Sequence, residues 1–129
     1  MKFERDEAQG RNTFSGYGEG YVAVGGKRHS ASLVVSADRV ITDWPAASVE
    51  SLTADHLAAI VELKPEIVLL GTGATFTFPD RSLLAPLYKA GIGVEVMDTP
   101  AACRTYNILL GEGRNVVAAL IVTPAVTPA

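Results

Sequence analysis

An apolar run breaks into a glycine-threonine-glycine corner at Leu69-Leu70-Gly71-Thr72-Gly73-Ala74. A loop of this kind can turn its backbone N–H groups toward a small anion, because glycine puts no side chain in the way. The dinucleotide fingerprint G-x-G-x-x-G nevertheless fails here. Phe76 stands at its sixth position, and the next helix is expected only near Asp80. No Gly-Lys-Ser/Thr follows, which removes the phosphate loop of nucleotide hydrolases. A structural corner is the preferred reading of Gly71, Thr72 and Gly73, and contact with a small ligand or anion is the second.

A further group of reactive types follows at Asp98-Thr99-Pro100-Ala101-Ala102-Cys103-Arg104-Thr105-Tyr106-Asn107. Cys103 falls early in an expected helix and beside Arg104, so the helix dipole and the guanidinium would both favour a thiolate. The competing reading is a small packed side chain, since unpaired cysteines are among the most buried residues. Arg104 can fork onto a carboxylate or phosphate, and Asp98 is its expected internal partner. Tyr106 is expected to bury its ring and give its hydroxyl to a backbone group. The two histidines, His29 and His56, lack ligand spacing with each other or with Cys103, so no metal and no cofactor are expected.

Positioning these groups requires particular elements. Tyr21–Val24, Gly25-Gly26 and Lys27–Val35 read as strand, tight turn and strand, with a third antiparallel strand over Arg39–Pro45. Residues 1 to 19 read as a loose start anchored by Phe14 and Tyr17. Thr53 caps a helix that Pro65 closes, Glu66–Leu70 is a continuous apolar strand, and a helix from Asp80 or Ser82 to Gly91 contains Pro86 and kinks near Ser82. Ile92–Met97 is the next strand. Thr99 caps a third helix opened by Pro100, with Cys103, Tyr106 and Leu110 on one stripe, and Asn115–Val122 is the last strand. Two successive β-α-β units result, and right-handed crossovers make their strands parallel. The Gly71–Gly73 loop and Asp98-Thr99 then share the carboxyl edge of the sheet, where ligands usually sit.

Composition narrows the class. The 129 residues fit one domain spanning 1–129, with 1–14 and 123–129 expected to be flexible. A net charge of −3 with no basic block beyond Lys27-Arg28 argues against nucleic acid. A lone cysteine excludes an internal disulfide and fits a reducing compartment, as it would equally fit a secreted chain without disulfides. The acid-containing start Met1-Lys2-Phe3-Glu4-Arg5-Asp6-Glu7 fits neither a secretory signal nor a transit peptide, and no apolar run is long enough for a transmembrane segment. A bacterial cytoplasmic protein is the expectation.

The segments Pro65–Gly73, Gly91–Thr99 and Ala102–Asn107 together carry a likeness. The combination of GTG, GIGVEVMDT and CRTYN resembles the Mth938-type domain family over roughly residues 15 to 122. The family includes uncharacterised bacterial proteins, a mitochondrial respiratory complex I assembly factor and an animal protein linked to adipogenesis. The resemblance implies an α/β, three-layer β/β/α fold, with an antiparallel N-terminal β layer packed on a parallel central sheet. It brings no catalytic residues with it. The expected function is that of an interaction or assembly factor whose partner is another protein. The alternative is a small-ligand-binding protein or enzyme using the crevice at Gly71–Gly73, Asp98, Cys103 and Arg104, with Thr99, Tyr106 and Asn107 as further contacts.

Overall fold

The computed structural model describes residues 10–124. Most of the two termini expected to be flexible therefore lies outside the described residues. The chain runs β1 (Phe14–Gly18), β2 (Tyr21–Val24), β3 (Lys27–His29), β4 (Leu33–Val35), β5 (Val40–Ile41), α1 (Ala54–Val61), β6 (Ile67–Gly71), a 3-10 turn (Arg81–Leu84), α2 (Ala85–Lys89), β7 (Gly93–Met97), α3 (Thr99–Gly111) and β8 (Val116–Leu120). A three-stranded antiparallel sheet, β1-β2-β3, packs beside a five-stranded sheet of order β5-β4-β8-β6-β7.

The larger sheet is mixed rather than parallel. Strand β6 pairs in parallel with β7 and β8, whereas β4 runs antiparallel to β8 and β5 antiparallel to β4. The helical connections supply the parallel trio, as the β-α-β reading required. The antiparallel strands come from the segment read as one continuous strand. Lys27–Val35 breaks at Ser30–Ser32, leaving β3 in the small sheet and carrying β4 into the large one. All three residues of β4 are buried, because both of its faces are covered.

Two cores share the five-stranded sheet, and strict alternation divides its side chains between them. Leu33, Val35, Leu69, Val116, Ala118 and Leu120 face the small sheet and the α3 residues Ala102, Cys103, Tyr106 and Leu110. Val34, Val68, Leu70, Val117, Ala119 and Ile121 face Leu57 and Ile60 of α1, Leu87 of α2 and Trp44.

Several boundaries differ from expectation for local reasons. The loose start becomes a strand because Phe14 is fully buried and β1 pairs with β2. The expected third antiparallel strand contracts to the two residues of β5 and joins the large sheet. Helix α1 ends at Val61, before Pro65, and Lys64 then takes a positive φ of 52°. The single kinked helix becomes a 3-10 turn capped by Asp80 followed by α2, with Pro86 in the first turn of α2, where its missing N–H costs nothing.

Thr53 does cap α1. Its hydroxyl accepts from the His56 N–H, and the His56 ring accepts from the Thr53 N–H, closing a capping box. Thr53→Ala should lower stability by about 1 kcal/mol in urea unfolding, because the first-turn donor loses its partner.

Candidate functional site

Strands β6, β7 and β8 end together, and the residues just beyond them form one bonded knot. Gly71 lies opposite both Met97 and Leu120 in register. The Thr72 N–H donates to the Met97 carbonyl at 2.9 Å, and the Ile121 N–H donates to the Gly71 carbonyl at 2.9 Å. Gly71 must be glycine. A Cβ there would stand 2.8 Å from the Thr99 Oγ1, closer than real Cβ contacts come, and a tight 3.0 Å from the Thr99 Cα. Its bare backbone lets the start of α3 rest on the strand end.

Thr99 joins the pieces. Its N–H donates to the Gly73 carbonyl at 2.8 Å, its hydroxyl accepts from the Gly73 N–H at 2.9 Å, and that hydroxyl donates to the Ile121 carbonyl at 2.7 Å. Gly73 needs its own freedom for a different reason, a φ of +106°. Thr99 was expected to cap α3. Asp98 caps it instead, its carboxylate accepting from the Ala101 N–H at 2.8 Å, and Thr99 becomes the first helical residue.

These bonds bear directly on the anion-cradle idea. The N–H groups of Thr72 and Gly73 already have internal acceptors, as does that of Thr99. The Thr72 hydroxyl donates to the Thr75 carbonyl at 2.8 Å and accepts from the Thr77 N–H at 3.1 Å. The structure thus brings Gly71, Thr72, Gly73, Asp98 and Thr99 to one sheet edge and gives each polar group named here a partner within the protein.

Cys103, Arg104, Tyr106 and Asn107 lie farther along α3 and face the small sheet. Arg104 does not pair with Asp98. Its guanidinium donates to the Tyr17 hydroxyl at 2.6 Å and lies 5.7 Å from the centre of that ring. The Tyr106 ring packs edge-on against Phe14 at 5.1 Å, and its hydroxyl donates to the Asn12 carbonyl at 2.9 Å. Burial raises the Tyr106 phenol above its ordinary range, with Arg11 opposing the shift. The Asn107 amide accepts from the Phe14 N–H at 2.9 Å and donates to the Phe14 carbonyl at 2.8 Å, mimicking a neighbouring strand.

Cys103 is fully buried. Burial pushes its thiol up to about 12, outweighing the opposing pull of Arg104. The thiol form is therefore the stable one at neutral pH, and the early-helix position does not activate it. No group of three or more His, Cys, Asp or Glu among the described residues is placed to hold a metal ion.

Two concavities flank the Gly73-Ala74 corner. The larger, about 400 Å³, opens between the β1–β2 turn and the sheet edge, against Tyr17, Tyr21, Thr99, Pro100 and Val122. The smaller, about 220 Å³, is lined by Ser48, Glu50, Thr72, Thr75 and Thr77. Residues 17–22 were not foreseen as part of a site, since nothing local ties them to a corner more than fifty residues away. The two glycines around Glu19 were the available signal.

The family described as "Protein of unknown function (DUF498/DUF598)" matches residues 14–121. A "13 kDa major membrane protein" of Francisella tularensis subsp. holarctica (strain LVS) is 30% identical over 122 residues, covering 94% of this chain and 99% of that protein. The "NADH dehydrogenase [ubiquinone] 1 alpha subcomplex assembly factor 3" of Danio rerio is 41% identical over 87 residues, 66% of this chain but 50% of that protein. The chain thus spans about half the length of that assembly factor. A solution structure from Bordetella pertussis, described as a Mth938-like domain, superimposes with a TM-score of 0.81 at 33% identity, covering 97% of this chain and 94% of the other.

Thr99→Val keeps the shape of the side chain but strands the Gly73 N–H and the Ile121 carbonyl, each at a cost of about 1–3 kcal/mol. Denaturant unfolding should show that loss, and a change under about 0.5 kcal/mol would mean the bridge contributes little. The second expectation concerns Cys103. Between pH 9 and about 12 the unfolded thiol ionises while the folded one stays protonated, so stability should fall as pH rises through that window. The Cys103→Ala variant should show a correspondingly shallower fall, and iodoacetamide at neutral pH should label the wild type only as fast as it unfolds.

Proposed function

This chain belongs to the DUF498/DUF598 family of Mth938-like domains, and on that premise we propose that it is a protein-binding accessory factor in the assembly of a membrane-bound respiratory complex. The naming of a 41% identical relative as an assembly factor for NADH dehydrogenase supports the class of role. The observation that carries it to this chain is an aromatic pair on the loop beyond the glycine corner. Phe76 is 58% exposed and Phe78 47% exposed, their rings 6.3 Å apart. The Arg81 guanidinium lies 5.6 Å from the centre of the Phe78 ring.

Exposed phenyl rings beside an arginine have the composition of an interface centre, where aromatic residues and Arg are enriched. The stem of the loop is braced, because the Thr72 hydroxyl holds both the Thr75 carbonyl and the Thr77 N–H. A braced loop loses less freedom on binding, which favours affinity. No helix among the described residues is long and apolar enough to cross a membrane. In this reading the domain acts from the cytoplasm on subunits that are themselves membrane-bound.

The double substitution Phe76→Ser and Phe78→Ser touches exposed side chains and should shift folding stability by less than about 0.5 kcal/mol per site. In a host strain lacking the gene, the wild type should restore assembled NADH:quinone oxidoreductase on native gels and the double variant should not. Full restoration by a stably expressed double variant would overturn the proposal, as would normal assembly in the deletion strain.

A further inference from the structure

We infer that the 400 Å³ cleft between the β1–β2 turn and the carboxyl edge of the large sheet is a binding site for a small, uncharged, largely apolar molecule, of the size of an aromatic ring system with a short substituent. The size falls in the range of small-molecule pockets, roughly 300–1,000 Å³. Its chemistry follows from the side chains and from the bonds already made around it.

The walls are apolar. Tyr17 and Tyr21 come from the small sheet, Pro100 from the start of α3, Val122 from beyond β8 and Ala74 from the glycine corner. The nearby groups that could have recognised an anion are engaged elsewhere. The Gly73 N–H is bonded to the Thr99 hydroxyl, that hydroxyl to the Ile121 carbonyl, and the Thr99 N–H to the Gly73 carbonyl. Glu19 also lines the cleft, and its negative charge disfavours a phosphate or carboxylate there. A neutral apolar occupant suits these walls, and the exposed Glu19 keeps its carboxylate in water at the rim.

The cleft is built into the fold rather than opened by chance. Gly18 has no Cβ because one would collide with the Tyr21 ring, so the ring lies across the turn and forms part of the wall. Arg28 stacks on that ring, 4.1 Å from its centre, and Arg104 bonds the Tyr17 hydroxyl. The opposite lip is set by Gly73 and by the Thr99 bridge. Both sides are thus held by contacts that exist without ligand, which suits a compact molecule entering a concave site. The protein-contact surface at Phe76 and Phe78 is separate from these walls, so this site stands apart from the assembly reading.

The test uses N-phenyl-1-naphthylamine, an uncharged probe whose fluorescence rises in apolar surroundings, with the full chain. Saturable binding of one probe per chain is expected. Ala74→Trp and Thr123→Trp place an indole at exposed positions on the lining, and each should weaken the probe at least tenfold while the unfolding midpoint is retained. The Phe76→Ser, Phe78→Ser double variant should bind the probe as the wild type does. Binding that never saturates, or that survives both tryptophans, would overturn the assignment. Loss of binding in the double phenylalanine variant would place the apolar surface on the partner-binding loop instead and equally overturn it. Thermal stabilisation by inorganic phosphate that Ala74→Trp abolishes would show an anion site and refute the chemistry inferred here.

Discussion

One side chain ties three strand ends to a helix. The Thr99 hydroxyl accepts from Gly73 and donates to Ile121, and its backbone N–H returns to Gly73. Parallel strands leave their carboxyl ends open, and a helix start carries unsatisfied donors, so such an edge is rich in groups that need partners. Here the two deficits cancel against each other. That closure requires Gly71 to be bare, Gly73 to adopt positive φ, and Asp98 to take over the capping role that Thr99 gives up. The glycine-threonine-glycine corner is thus a joint of the fold. Its exposed continuation, rather than the joint itself, carries the two phenyl rings on which the proposed partner contact rests.

Much of this was legible because it is local. The β-α-β rhythm, the capped start of α1 and the meeting of Gly71 with Asp98 at one edge follow from periodicity, punctuation and the handedness of crossovers. The family resemblance read from the GTG, GIGVEVMDT and CRTYN segments agrees with the observed layers. What was misread has a physical cause in each case. Asp98 and Thr99 are both cap formers, and only the burial of Thr99 beneath Gly71 and Ile121 decides between them. Lys27–Val35 can satisfy a two-residue alternation on paper, yet the consecutive burial of Leu33, Val34 and Val35 belongs to a strand covered on both faces. The roles of Arg104 and Asn107 depend on β1, which lies far from them in sequence and leaves no local trace.

The large sheet divides labour between its faces. One face, with α1 and α2, is a plain hydrophobic layer. The other must hold both α3 and a second sheet, and there specific bonds supplement packing. Tyr106 reaches Asn12, Asn107 brackets Phe14, and Arg104 meets Tyr17. The candidate residues on α3 therefore position the small sheet, and the cleft is the gap left where that sheet's turn overhangs the strand ends.

The Asn107 bracket on Phe14 spans 93 positions of sequence. During synthesis the N-terminal sheet emerges first, while the helix that completes its edge emerges near the end. Chains dominated by such distant pairings form slowly, because a long loop must close before the contact is rewarded. Until α3 arrives, the β1 edge and the Phe14 ring remain uncovered on the nascent chain, a state prone to mispairing. Among the described strands β1 is made first, and although β2 pairs with it at once, its other edge waits for a helix made near the end of synthesis, so the interval before closure is its most vulnerable moment.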